Sequence, residues 1–209
     1  MPIKNDNSAA VYQFSSSVYG SHSKIIDYAG ANKKVLDVGC NKGYLCGEFK
    51  KNGCFTVGIE ADPECCKIAT QFCDQVIMAD VENLEELAYP ESYFDVMVFA
   101  DILEHLKNPE KILLRLKKYL HPDGLVIASF PNVARLDIRL NLLFGKFEYA
   151  QTGIMDKTHL RFFTVSTAKK LFLESGYKVR DVDYTGSLVR FKILPACFAF
   201  QIIVLANKT

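Results

Sequence analysis

Hydrophobic positions in this chain gather in short runs separated by stretches with a helical period. "KKVLDVG" (33–39), "FTVGIE" (55–60), "QVIMAD" (75–80), "FDVMVFA" (94–100) and "LVIASF" (125–130) are apolar runs of strand length. Between them lie amphipathic stretches. "YLCGEFKKN" (44–52) predicts a helix closed by Gly53, and Asp62 predicts an N-cap with Pro63 in the first helical position. "PEKILLRLKKYL" (109–120) predicts a helix with basic residues toward its end, stopped by "HPDG". "STAKKLFLES" (166–175) predicts another, ending at Gly176, and further strands are expected at 178–184 and 198–205. Strands alternating with helices imply an α/β fold, doubly wound around a mostly parallel sheet with helices on both faces.

Such sheets bind ligands beyond the carboxyl ends of their strands. Acids stand there in series: Asp37, Glu60, Asp80 and Asp101, separated by 23, 20 and 21 residues, about one strand–helix unit each. Taken singly, each could cap a following helix; in register they predict one acidic edge around a crevice. The first strand runs into a turn with Gly39, Asn41 and Gly43. A dinucleotide site wants G-x-G-x-x-G, and two of those three positions fail here. Read as G-x-G-x-G, only Asn41 departs, and asparagine tolerates left-handed backbone better than other side chains. Glu60 suits ribose hydroxyls, and a carboxylate at the third strand end, Asp80, suits the adenine amino group.

Composition narrows the partners. With 25 basic and 24 acidic residues the 209-residue chain has a net charge of +1, so nothing global draws it to nucleic acid or an anionic membrane. The first 17 residues contain no apolar run of signal-peptide length. "ILPACFAFQIIVLA" (193–206) is too short to span a bilayer and is expected to be a buried strand. A soluble cytoplasmic protein, monomer or homodimer, is expected. Seven cysteines with no CxxC pair argue against a disulfide framework or a thiolate zinc site.

The segments "VLDVGCNKG", "GIEAD", "MADVENL", "FDVMVFADILEHL" and "LHPDGLVIASFPN" follow one another in an order that resembles the Rossmann-type S-adenosylmethionine (SAM)-dependent methyltransferases. The resemblance covers about residues 33–206. It implies a seven-stranded sheet with its last strand antiparallel. It also implies roles: Asp37, Gly39 and Gly43 at the methionine end, Glu60 at the ribose, Asp80 and the Val81 amide at the adenine, with Asn41 a further cofactor-binding residue in place of the usual glycine. Ala100 and Asp101 would line the methionine side. Residues 1–32 are then an N-terminal helical or irregular segment and 33–209 the catalytic domain.

The acceptor must be read elsewhere. Residues 133–163 are long for a connection and predict a cap over the substrate, mixing Arg135, Arg139 and Arg161 with Phe144, Phe147, Tyr149, Phe162 and Phe163. Leu136, Leu140 and Leu143 would form its apolar side, packed on the body. "DKTHLRFFT" is similar to methyltransferases of polysaccharide and glycan biosynthesis, which implies transfer to a sugar hydroxyl. "DILEHL" predicts a helix with Asp101, Glu104 and His105 on one face. That pattern is similar to ubiquinone-biosynthesis O-methyltransferases and plant small-RNA 2′-O-methyltransferases, where an acid-x-x-Glu-His group binds a divalent metal.

The expected activity is methyl transfer from SAM, the one cofactor predicted, to a hydroxyl of a small acceptor, a sugar or glycan precursor. His105, Glu104 and His159 are the candidate catalytic residues, with no metal assigned and nucleic acid and membrane disfavoured as partners. The alternatives are an RNA 2′-O-methyltransferase, a quinone-type O-methyltransferase using a divalent metal, and a non-catalytic SAM-fold binding protein.

Overall fold

The computed structural model describes residues 20–186 and 194–209. Most of the N-terminal segment, 1–19, therefore lies outside the described residues.

Helix α1 (Ser21–Ala29) precedes β1 (Lys34–Val38), α2 (Tyr44–Lys51), β2 (Phe55–Glu60), α3 (Pro63–Ala69), β3 (Gln75–Met78) and β4 (Phe94–Ala100). Next come α4 (Pro109–Leu116), β5 (Leu120–Pro131), α5 (Leu136–Leu143), α6 (Val165–Glu174), β6 (Tyr177–Tyr184), α7 (Pro195–Phe198) and β7 (Gln201–Lys208). The strands form one seven-stranded sheet in the order β3-β2-β1-β4-β5-β7-β6. The first five pair in parallel, and β7 enters antiparallel between β5 and β6.

Alternation along the strands sorts the core onto two faces. Val35, Val96, Val98 and Ile127 pack with Ile25 and Ala29 of α1 and Leu45 and Phe49 of α2. Their neighbours Leu36, Met97, Phe99, Val126 and Ala128 pack on the other face with Leu113 and Leu116 of α4 and Leu171 and Phe172 of α6. Burial on both faces is why these strands read as unbroken apolar runs.

The local signals act as their chemistry requires. Asp62 accepts from the Cys65 amide at 2.8 Å, with Pro63 opening α3. Thr164 and Thr167 cap α6 reciprocally, a threonine standing in for the usual acid of a capping box. Among the cysteines, Cys40, Cys46, Cys54, Cys66 and Cys73 are buried free thiols, and Cys65 and Cys197 are half-buried ones.

Four expectations need correction. "HPDG" does not separate α4 from its strand: β5 already pairs at Leu120↔Phe94, and 121–124 bulge outward before pairing resumes at Leu125↔Val96. The apolar run near the C-terminus is not one strand, because Pro195 opens the short helix α7 and β7 begins at Gln201. "DILEHL" is not a regular helix. Asp101 takes left-handed backbone (φ 50°), and only Leu103–His105 form a single 3₁₀ turn, so the expected helical face is absent. Finally, the leucines of 133–163 are not packed on the body. Leu136, Leu140 and Leu143 are exposed, Leu143 by 76%, and Ile138 alone on α5 is buried.

Candidate active site

The sheet reverses its order of growth between β1 and β4, and a ligand crevice opens at such a point. A cavity of about 360 Å³ lies there, lined by Asp37, Gly39, Cys40 and Asn41 after β1, by Glu60 and Asp62 after β2, and by Ala100, Asp101, Ile102 and His105 after β4.

The turn after β1 is built for close approach. Gly39 has φ 74°, and a Cβ there would meet the Ile102 side chain at 2.9 Å, so any larger residue is strained and must displace Ile102. Gly43, also left-handed, has the Ala69 Cα 3.0 Å from where its Cβ would stand. Asn41, at φ 49°, carries the same backbone turn with a side chain, its Oδ1 accepting from the Lys42 amide at 2.8 Å. Glu60 fixes this loop by accepting from the Asn41 amide at 2.9 Å, and from the Ala61 and Asp62 amides with its other oxygen.

Asp37 is 1% exposed and accepts from the Cys46 thiol at 3.6 Å. Burial raises its pKa to about 7, with the Cys73 and Glu60 charges adding to the effect. Asp101 is held from two strands: the Ser129 hydroxyl donates to Oδ1 at 2.9 Å and the Gln201 amide to Oδ2 at 2.5 Å.

The remaining predicted cofactor residues stand apart. Gly43 shapes the turn without lining the cavity, and the buried Val81 does not line it either. Asp80 borders a separate groove with Asn83, Lys107 and Lys111, accepting from the Glu82 amide and the Asn83 side chain at 2.9 and 2.8 Å.

The candidate catalytic residues meet at the cavity's edge by a route the sequence did not reveal. Glu104 and His105 come from the 3₁₀ turn, and His159 from the far end of 133–163. The turn holds that segment directly, since the Glu104 carbonyl accepts from the Leu160 and Arg161 amides at 2.9 and 3.0 Å. The two imidazole rings are edge-on at 4.8 Å between centroids. One ligand atom each from Glu104, His105 and His159 lies within 4.8 Å of the others.

Their environment is unusual. Glu104 is 1% exposed, and neither carboxylate oxygen has a hydrogen-bond partner among the described residues. Burial, and then Asp101, raises its pKa well above the usual carboxylate range. His105 Nδ1 lies 3.2 Å from the Thr158 carbonyl, and His159 Nδ1 lies 3.1 Å from the Ile154 carbonyl. A carbonyl only accepts, so each Nδ1 carries the hydrogen, and in the neutral ring the Nε2 lone pair is open. Burial first, then His159, lowers the pKa of His105 and favours that neutral form.

The cap arginines are engaged locally. Arg161 donates to the Leu106 and Lys107 carbonyls, Arg139 Nε to the Ala134 carbonyl at 2.5 Å, and Arg135 pairs with Asp137 at 3.1 Å. His22 was missed altogether: it lines the cavity from α1 and is 5% exposed. The spacing His22, Ile25, Ala29 was a helical stripe that could have flagged it.

Fold and crevice together define a Rossmann-like α/β protein with a ligand cavity at the switch point of its sheet, and comparison with known proteins gives its family. The chain belongs to the family described as "Methyltransferase domain", which matches residues 19–182. It is similar to the ubiquinone biosynthesis O-methyltransferases of Psychrobacter arcticus (25% identical) and Psychrobacter cryohalolentis (30% identical), each over 79% of this chain. The match spans 66% of those relatives' length. The fold is shared with a solved Burkholderia thailandensis 1,6-didemethyltoxoflavin-N1-methyltransferase holding S-adenosylhomocysteine. That likeness has a TM-score of 0.64 at 18% identity and covers 92% of this chain and 79% of the other. No helix among the described residues is long and apolar enough to cross a membrane.

Proposed function

We propose that the protein transfers the methyl group of SAM to a hydroxyl on an aromatic ring of the quinone-precursor kind, using a divalent cation held by Glu104, His105 and His159. The observation that carries this reading is the buried, unpartnered Glu104 carboxylate facing two imidazoles beside the cofactor cavity. A buried carboxylate without a partner is costly, and a cation among these three groups relieves the cost. The donor set fits: one carboxylate oxygen and two neutral nitrogens suit zinc, iron or manganese, with positions left for an acceptor. The similarity to ubiquinone-biosynthesis enzymes favours this acceptor class over the sugar expected from "DKTHLRFFT".

When bound, such a cation lowers the pKa of a coordinated hydroxyl and fixes its position. The chain's own residues do the rest. Glu60 seats the ribose of the cofactor, the Gly39–Gly43 turn approaches its methionine end, and Asp37 and Asp101 offer carboxylates to its ammonium. The Thr158 and Ile154 carbonyls hold both imidazoles in one tautomer. The sulfonium methyl is already electrophilic, so alignment with the acceptor oxygen is the main task, one that can supply roughly 7–11 kcal/mol at best.

The test is methyl transfer to simple ortho-dihydroxybenzenes, measured with and without chelator. Loss of activity on chelation, recovered with Mn²⁺ or Zn²⁺, supports the reading. A second reading keeps His105 as a metal-free base, favoured by its lowered pKa and its place on the cavity wall. Activity insensitive to chelator but lost in His105→Ala would select it.

A further inference from the structure

We propose that His22 binds the carboxylate of the methionine portion of SAM, so that α1 is part of the cofactor site. The inference rests on the cofactor and not on the identity of the acceptor.

The cofactor carries one anionic group, the methionine carboxylate, alongside a sulfonium and an ammonium. The cavity lining is matched to the cations. It presents Asp37, Glu60, Asp62 and Asp101, and among the described residues lining it there is no lysine or arginine. An anion entering this lining is met best by a donor that can carry positive charge, and the lining side chains able to do so are the two imidazoles, His22 and His105. His105 is turned toward the Thr158 carbonyl and the His159 ring, on the side assigned above to the acceptor. His22 is the remaining candidate. Asp101, which lies where the methionine end is expected, acts on the ring electrostatically and favours its charged form, against burial, which lowers its pKa overall.

The position of His22 is fixed by design of the helix. Ile25 and Ala29 bury α1 against β1, β4 and β5, which sets His22 one turn further toward the carboxyl edge of the sheet. On another face, Lys24 Nζ and the Tyr28 hydroxyl both reach Asp183 of β6, at 2.5 and 2.8 Å. Two anchors on different faces leave the helix little freedom to roll or slide, so the ring meets a ligand already oriented.

The test compares S-adenosylhomocysteine with its decarboxylated counterpart, each titrated calorimetrically into the full 209-residue protein. A lost hydrogen bond to a charged group predicts that His22→Ala weakens S-adenosylhomocysteine by about 10–100-fold. The decarboxylated ligand should bind His22→Ala and the unaltered protein alike. His22→Gln, which keeps a donor and most of the volume, should recover part of the loss and carries the same comparison if the alanine variant melts early. Equal losses for both ligands, or undiminished S-adenosylhomocysteine binding in His22→Ala, would overturn the assignment.

Discussion

Two regions meet at the cavity and are built on opposite plans. Around the turn after β1, the acids are held by short hydrogen bonds, Glu60 to three amides and Asp101 to Ser129 and Gln201, and Gly39 lies close against Ile102. Residues 133–163 instead leave their apolar groups outside, with Leu136, Leu140, Leu142, Leu143, Phe144 and Phe147 all exposed. That segment is tied down at its ends, through Val133 to Phe163 and through Leu160 and Arg161 to Glu104. The first region spends its sequence on one geometry. The second anchors two residues of chemistry, His159 and the Asp156 turn beneath it, and leaves a helix unpaired with the body.

The largest test of this contrast is at the anchor. Glu104→Ala and His159→Ala should each cut turnover by about 10²–10³-fold with S-adenosylhomocysteine affinity nearly unchanged, as loss of a positioned polar group does. Steady-state rates and calorimetry on the same samples check this. A parallel fall in cofactor affinity would mean that the two regions are not separable.

Next is the cofactor loop itself. Glu60→Ala removes the acceptor for three amides and should weaken S-adenosylhomocysteine by roughly 1.5–3 kcal/mol. Asp80→Ala, whose carboxylate faces another groove, should cost less than that. Equal losses would return Asp80 to the cofactor site.

Asp37 gives a pH-dependent test of smaller size. Its pKa is about 7 in the folded protein against 3.8 as the ordinary value. Ionisation is therefore penalised on folding. The neutral form's contribution is complete below the unfolded pKa and is lost as pH rises through about 7. Asp37→Asn should flatten the melting temperature between these limits and stabilise the protein by roughly 1–3 kcal/mol at pH 8, while impairing cofactor binding. An unchanged pH profile would show that the carboxyl is not the group responsible.

Smallest is the exposed helix. Leu143→Ala should shift stability by no more than about 0.5 kcal/mol, whereas Ile138→Ala should cost roughly 1–3. Chemical denaturation distinguishes them, and similar costs would mean that the helix packs in solution after all. The exposed leucines also predict amide exchange at 136–147 faster than in β4 and β5.

The same contrast decides what could be read from sequence. The strands were legible because both faces are buried and each apolar run codes for its own geometry, and Asp62, Pro63 and Gly39 punctuate them with residues of narrow conformational use. The Gly39–Gly43 turn survived one substitution because asparagine accepts φ near 50°. Periodicity failed at "DILEHL", where spacing suggested a helix but Asp101 is left-handed, so Glu104 turns inward away from the face assigned to it. It failed again on α5, since a stripe of leucines signals an apolar face without saying what covers it. The pairing of His105 with His159 spans 54 residues and depends on backbone bonds from Glu104 that no local pattern encodes. His22 lay ahead of the first strand, outside the region where chemistry was sought.

The tie between α1 and β6 also bears on the order of assembly. Lys24 and Tyr28 are translated before their anchor Asp183, which follows 159 and 155 residues later. At about 5–20 residues per second, roughly ten to thirty seconds separate the two ends of that bond. During this interval the Ile25 face has no finished sheet beneath it, because β7, which carries Ile203 and Leu205 of the same cluster, follows β6 in the chain. The α1 wall of the cofactor chamber is therefore completed only after β6 and β7 have been made.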